Sequence, residues 1–327
     1  MKIVDQFSFF DPEELNVLLI HLELGHAVVN EWLIIENNYT FQGAQKPYFL
    51  NDIIGKDIRF KKFLSKIKIF EVSYKINRES KENELFDNEA FIIEEMQRET
   101  VRDYLRSNYS NDDILLVSDA DECVDFSDRR RRNLLLSKLA NTRTHLKIPR
   151  IRFWYDFDNL WSEIRSIPAV RIGYYLNNNM TLHYIRFKDC GAGPTRLWKE
   201  HVAFEYSFCL SKKGIYSKYD SFSHTGTTRK EIDDAIRNNR LIVSELRGQK
   251  LSVDTSWWLR TVRLNSNNSP DYVRKNLNIL KTNIIPRNYK MNRFMEYMEI
   301  ARENGFGKLF YVFLQYYYLR IFKKLKV

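Results

Sequence analysis

The sequence predicts an α/β fold: a mainly parallel open sheet flanked by helices, with a helical C-terminal extension. Three observations lead there. Strand and helix signals alternate through the first half, one strand-length run is wholly apolar, and the alternation gives way after Lys147. Ile3 to Phe9 opens as a strand. Asp11-Pro12-Glu13-Glu14 then offers an N-cap, a proline at the first helical position and an acid at the third, ahead of Leu15, Leu18, Leu19 and Leu22 at helical spacing and a stop at Gly25. Val28 to Glu36 and Lys66 to Val72 read as strands. Ile93, Met96, Val101, Tyr104 and Leu105 mark one longer amphipathic helix, and Ile114 to Val117 is the apolar strand. Past Lys147, three strand-like stretches (Lys147 to Phe157, Ala169 to Tyr175, Met180 to Phe187) follow without helices between them. Thr228 to Glu231 is a capping box ahead of Ile232, Ala235 and Ile236. Two units result: an α/β domain over 1–225 and a helical extension over 226–327 with a basic, aromatic tail.

Composition narrows the function classes. With 44% hydrophobic and 29% charged residues in 327, the chain buries a sizeable core and is not a disordered chain. Eleven glycines and seven prolines exclude collagen-like and low-complexity classes. No run approaches the ~18 apolar residues of a spanning helix, and the amino end reads as a strand rather than a leader, so a cytoplasmic protein is expected. Cys123, Cys190 and Cys209 have no zinc or disulfide spacing, which suits a reducing compartment. The net charge of +10 favours polyanionic partners, nucleotide phosphates and anionic lipid among them. A basic nucleic-acid-binding protein is the rival reading, but no helix-turn-helix, RNP or zinc-finger pattern accompanies Arg129 to Arg132.

The site signal follows the apolar strand. Ile114 to Val117 runs into Ser118-Asp119-Ala120-Asp121-Glu122, and ligands of open parallel sheets sit beyond the carboxyl ends of strands. From Asn111 to Asp125 there are six acids and no Lys or Arg, an acidic island in a basic protein. Such oxygen ligands suit a hard divalent ion, Mn²⁺ or Mg²⁺, able to bridge to a diphosphate. The same acids can instead serve as turn and cap residues. Phe153, Trp154, Tyr155, Phe157 and Trp161 are either core or a platform for an acceptor sugar.

Several segments resemble glycosyltransferase family 17, whose best-known members add the bisecting β-1,4-N-acetylglucosamine to N-glycans. They are the opening KIVDQFSFFDPEEL with LLIHL, the stretch WLIIENNYTFQGAQKPYF from Trp32 to Phe49, and DDILLVSDADE from Asp112 to Glu122 with Glu95-Met96-Gln97-Arg98 ahead of it. A weaker echo runs from Tyr206 through Lys218 to His224. The resemblance implies a GT-A fold, a nucleotide-sugar donor such as UDP-N-acetylglucosamine, a divalent metal and inversion at the anomeric carbon. It gives Asp119 and Asp121 the metal, with His224 as a further ligand, and Glu36, Asn38, Arg98 and Asp119 the donor. Two departures stand out: His21 takes the place of the family's helix-1 arginine, and Ala203-Phe204-Glu205 that of Gly-Trp-His. An inverting transfer needs one general base, usually a carboxylate. Asp156, Asp158, Glu163, Asp189 and Glu205 are the candidates downstream of the acid motif, and Glu205, which falls within the later echo, is favoured, with Asp189 beside it. A relative that binds sugar nucleotides without catalysis is the third reading.

The expected partners are a UDP-sugar and a glycan or lipid-linked glycan acceptor, with no nucleic acid. From Phe306 to Val327 there are five cations and no acids among aromatic and aliphatic residues, a pattern that suits peripheral binding to an anionic inner membrane surface as well as packing on the domain.

Overall fold

The computed structural model describes residues 1–75, 92–189, 202–221, 227–241 and 259–285, without the side chains of 162–164, 187–189 and 260. Its sheet holds nine strands. Eight lie in the order β3-β2-β1-β4-β7-β6-β8-β5, and β9 pairs with β7 outside that path. The strands are β1 (Ile3–Phe9), β2 (Glu31–Asn37), β3 (Ile67–Val72), β4 (Ile114–Val117), β5 (Glu122–Val124), β6 (His145–Trp154), β7 (Asn159–Arg171), β8 (Ala203–Ser207) and β9 (Arg260–Thr261).

The first half is the parallel array expected. β1 lies between β2 and β4, and β3 continues on the far side of β2, every pairing parallel. Alternation along β1 sorts its side chains. Ile3, Phe7 and Phe9 join Trp32, Ile34, Ile114 and Leu116 on one face, whereas Val4 joins Leu33, Ile35, Leu115 and Val117 on the other. Helices α1 (Leu15–Gly25), α2 (Leu50–Lys56) and α5 (Arg129–Asn141) cover the first face, through Leu18, Leu19, Leu22, Leu50, Ile54, Leu135 and Leu139. The second face lies under α4 (Arg102–Asn108), α6 (Ile172–Asn177) and α7 (Leu182–Asp189). Residues 92–99 form α3, so the one long helix expected is two, separated at Thr100 and Val101.

The second half corrects the expectation of a mainly parallel sheet. β7 runs antiparallel to β4, β6 and β9, and β5 antiparallel to β8, while β6 and β8 are parallel, so the sheet is mixed. Ala169 to Tyr175 is strand only as far as Arg171, where α6 takes over. The strand expected over Met180 to Phe187 is the helix α7. Thr181 caps it by accepting from the Tyr184 amide at 3.1 Å, and Leu182 and Ile185 reach the core at helical spacing.

Helices α8 (Lys212–Ser221), α9 (Arg229–Arg237) and α10 (Asp271–Leu280) complete the described chain, and α9 opens on the capping box of Thr228 and Glu231. Ile232, Ala235 and Ile236 of α9 and Val273 and Leu280 of α10 enter the same apolar cluster as Phe153, Trp154, Tyr206 and Phe208. The described part of 226–327 thus shares a core with the sheet and gives it a strand. Phe153, Trp154, Tyr155, Phe157 and Trp161 are all buried, which makes them core. The tail from Phe306 lies outside the described residues. No helix among the described residues is long and apolar enough to cross a membrane.

Candidate active site

Beyond the carboxyl end of β4 the chain turns sharply. Ser118 closes the strand, Asp119 and Asp121 flank Ala120, and Glu122 starts β5. The Asp119 amide donates to the Glu122 carboxylate at 3.1 Å, which ties the turn across its base. Arg98 of α3 donates to Asp119 Oδ1 at 2.6 Å and to the Ser118 carbonyl at 3.1 Å. Arg186 of α7 grips the other Asp119 oxygen and donates to both Glu122 oxygens at 2.7 Å. The arginines are buried while the Asp119 side chain is 40% exposed, so the carboxylate stands at the surface of a cationic socket. Burial alone would raise its pKa; the charges of Arg186 and then Arg98 outweigh this and bring it down to about 2.

The charges continue across the sheet. Glu122 lies directly opposite Glu205 in the β5–β8 register, a like-charge pairing that is unfavourable in isolation. Arg150 of β6 bridges the two carboxylates, at 2.7 Å to Glu122 and 2.6 Å to Glu205. Arg152 then reaches the second Glu205 oxygen at 2.8 Å, stacked 4.0 Å from the Trp161 ring centre. The result is one alternating chain, Arg98, Asp119, Arg186, Glu122, Arg150, Glu205, Arg152. Burial raises the Glu205 pKa, but Arg152 and Arg150 with the Ser207 hydroxyl pull it well below the usual carboxylate range.

Asp121 sits apart from that chain. Its Oδ2 accepts from Lys218 of α8 at 3.1 Å and from the Ser207 hydroxyl at 3.4 Å, while Oδ1 is open among the described residues. Lys218 also holds Glu14 at 2.9 Å and lies over the Phe208 ring. Burial pushes the Asp121 carboxyl up, against Lys218, with Glu205 and Asp119 adding repulsion. Phe208, just past β8, has φ 55°, a left-handed backbone that a phenylalanine rarely adopts.

The loop after β2 is built from the residues quoted at Trp32 to Phe49. Glu36 is wholly buried and accepts from the amides of Phe49 at 3.0 Å and Leu50 at 3.2 Å, so it caps α2. Asn37 exchanges two 2.9 Å bonds with the Tyr74 backbone. Thr40 closes a tight turn by accepting from Ala44 at 3.0 Å, and Gly43 supplies its left-handed φ of 79°. Beyond this scaffold Phe10, Phe41, Tyr74 and Ile93 form a small apolar cluster of their own at the carboxyl edge of the sheet. Beside it Lys46 lies over the rings of Phe10 and Phe49, its buried Nζ without a hydrogen bond and 3.9 Å from Glu36. The Asn38 side-chain oxygen is likewise buried without a partner.

The structure thus brings Asp119, Asp121, Arg98 and Glu205 together, with Asn38 on the neighbouring loop and Glu36 behind it as a cap. Asp189 ends α7, three residues past Arg186, with its side chain outside the described residues; His224 lies outside them altogether. Among the described residues no group of three His, Cys, Asp or Glu could hold a metal ion. Both Asp119 oxygens already accept from guanidinium groups, whereas Asp121 keeps one oxygen without a hydrogen bond among the described residues. A single carboxylate, Asp121, does fit an ion that takes its other ligands from phosphate and water. Sequence reasoning missed Arg150, Arg152, Arg186 and Lys218. The visible signal was the strand alternation that sets Arg150 and Arg152 on one face of β6.

The family model of glycosyltransferase family 17 matches residues 2–242, a span that takes in the whole alternating chain. No curated protein matches the sequence. A match across most of the chain makes the assignment: the protein belongs to glycosyltransferase family 17 and is a glycosyltransferase.

Proposed function

We propose that the protein transfers N-acetylglucosamine from UDP-N-acetylglucosamine, with inversion, onto a glycan or lipid-linked glycan acceptor, in a GT-A arrangement built on β3-β2-β1-β4. The single observation that carries this is Asp119, an exposed carboxylate fixed by buried arginines beyond the end of a parallel strand. It can accept from donor hydroxyls without moving. The Phe10, Phe41 and Tyr74 cluster, with the Asn38 oxygen and Lys46 beside it, suits a nucleobase that stacks and presents a donor group.

Lys218 is the cation bonded to Asp121, and its ammonium offsets charge on the leaving diphosphate. Asp121 is the residue that would hold Mn²⁺ or Mg²⁺; a bound ion there supplies Lewis-acid neutralisation of the same charge. Glu205 is a poor proton acceptor, since Arg150 and Arg152 stabilise its anion, so proton acceptance from the acceptor hydroxyl falls to Asp189.

A donor screen by thermal shift, with and without Mn²⁺, tests the reading. A donor at a hundred times its Kd adds about 2.7 kcal/mol, which raises Tm by roughly 5–10 °C. UDP-N-acetylglucosamine is expected to give that shift and to turn over. No shift with any nucleotide sugar overturns the proposal.

A further inference from the structure

The acid turn rests on a fully buried histidine. His21 of α1 faces the Ala120 carbonyl at 3.1 Å through Nδ1 and the Asp5 carboxylate at 2.7 Å through Nε2. Asp5 in turn accepts from the Ser118 hydroxyl at 2.6 Å. A carbonyl can only accept, so Nδ1 carries a hydrogen. Nε2 faces a carboxylate, and a bare nitrogen lone pair there would oppose the oxygen at hydrogen-bond distance. The ring and Asp5 therefore share a further proton, and the geometry is that of an imidazolium with both hydrogens bonded. Losing that proton breaks one of two struts, one to the backbone between Asp119 and Asp121, the other to the strand beneath Ser118.

We propose that His21 is a positioning residue for glycosyl transfer: its protonated ring fixes the Ala120 carbonyl, so the placing of Asp119 and Asp121 is tied to one buried proton. This rests on the acid turn being the donor site. The groups that act on the ring are Asp5 on β1 and Glu122 on β5, and both favour its protonation. The Phe7 ring covers it at 4.4 Å between centres, and burial keeps the nearby Cys123 thiol neutral. Burial lowers the His21 pKa, but the charge and hydrogen bond of Asp5, with Ala120 and Glu122, carry it above the ordinary 6.5. The sign follows. A histidine raised in the folded state contributes fully below its unfolded value and loses that contribution as pH rises through the folded one. Below the folded midpoint both struts are in place, and above it one is released. Lys218 is pushed up and Asp119 down, away from that window; Asp121 and Glu122, pushed up by burial, and Lys46, pushed below 10.5 by burial, are the described groups at the site that could mimic the effect.

The test has two arms on the full chain. Nitrogen-15 histidine NMR, assigned by loss of the signal in His21→Gln, is expected to show both ring nitrogens protonated at pH 7 and a midpoint above 6.5, with the Ala120 and Asp121 amide resonances moving on the same curve. A neutral ring at pH 7, or amides that do not follow it, overturns the proposal. In the second arm, kcat/KM from pH 6 to 10 is expected to fall about tenfold per unit above that midpoint in the wild type and in Lys46→Met. In His21→Gln, which keeps a donor to Ala120 but no titrating proton, the profile is expected to be flat at a reduced level. A purely structural histidine would lower the rate at every pH and leave the alkaline limb in place, and that result overturns the proposal. If no donor is transferred, the donor reading fails by itself, and the ring and amide titrations still decide the strut.

Discussion

Removing Arg150 tests the alternating chain at its centre. Arg150→Met deletes the guanidinium that separates Glu122 from Glu205 and leaves two buried carboxylates opposite each other in the β5–β8 register. Breaking a buried ion pair by removing one partner costs about 3–5 kcal/mol. Here the low end applies, because Glu122 keeps Arg186 and Glu205 keeps Arg152 and the Ser207 hydroxyl. The Ser166 carbonyl also loses its donor, which adds about 1 kcal/mol. A total of about 4 kcal/mol lowers Tm by roughly 8–16 °C. The loss should depend on pH. Without Arg150 the facing carboxylates take up protons more readily when folded than when unfolded, so the variant recovers stability relative to wild type as pH falls. Thermal and urea unfolding at pH 8 and pH 5 read both effects, and Arg150→Met with Glu205→Gln should regain at least about 1 kcal/mol through the lost repulsion. A fall in Tm below about 3 °C at pH 8, or an equal fall at both pH values, would refute the reasoning.

Four further outcomes follow from the same geometry. Glu205→Gln should lose stability yet turn over within about threefold of wild type per folded molecule, since its carboxylate is already committed; because Glu205 is held below its ordinary 4.5, the stability deficit should shrink as pH falls under that value, read by urea midpoints. Asp121→Asn should lose Mn²⁺ binding, measured by the free-ion EPR signal, whereas Asp119→Asn should keep it while transfer falls about a hundredfold. Lys218→Met removes the cation that competes at Asp121, so Mn²⁺ should bind more tightly while transfer slows about tenfold or more. If the tail binds membrane, deleting 306–327 should move the protein from membrane to soluble fractions, and an unchanged distribution leaves packing on the domain as its role.

The parts of the fold that were legible are those fixed by local physics. β4 shows as a short apolar run because a parallel strand is covered on both faces, and α1 and α9 announce themselves by Asp11-Pro12 and by Thr228 with Glu231. The stretch at 180–187 misled because Tyr, Ile and Phe favour strands, whereas the cap at Thr181 and the spacing of Leu182 and Ile185 are what the core used. The acid turn was legible through its position after β4. Apart from Arg98, its arginines were not. Arg186 is 64 residues from Glu122 and Arg150 is 55 from Glu205, and only the antiparallel β6–β7 pair and the insertion of β8 bring them together. Glu36 shows the same limit: the family-like motif suggests a ligand contact, and nothing in it signals that the carboxylate accepts from the Phe49 and Leu50 amides at the start of α2.

The division of labour among the cations at the turn has a mechanical consequence. Arg98 is held through Glu94, Ser118 and Asp119, and Arg186 through Val117, Asp119 and Glu122; each planar group is fixed at several atoms and buried. Such groups can present a preorganised field but cannot follow a ligand. Lys218 differs. A compact ammonium on a flexible stem is shared by Glu14 and Asp121, so it can leave Asp121 for a phosphate oxygen while Glu14 still holds it. Under the proposed function, the rigid chain from Arg98 to Arg152 would fix where the donor lies, and Lys218 would be the part that answers to its charge. Glu14 precedes α1, which carries His21, so the movable cation and the buried proton are anchored at the two ends of less than two turns of one helix.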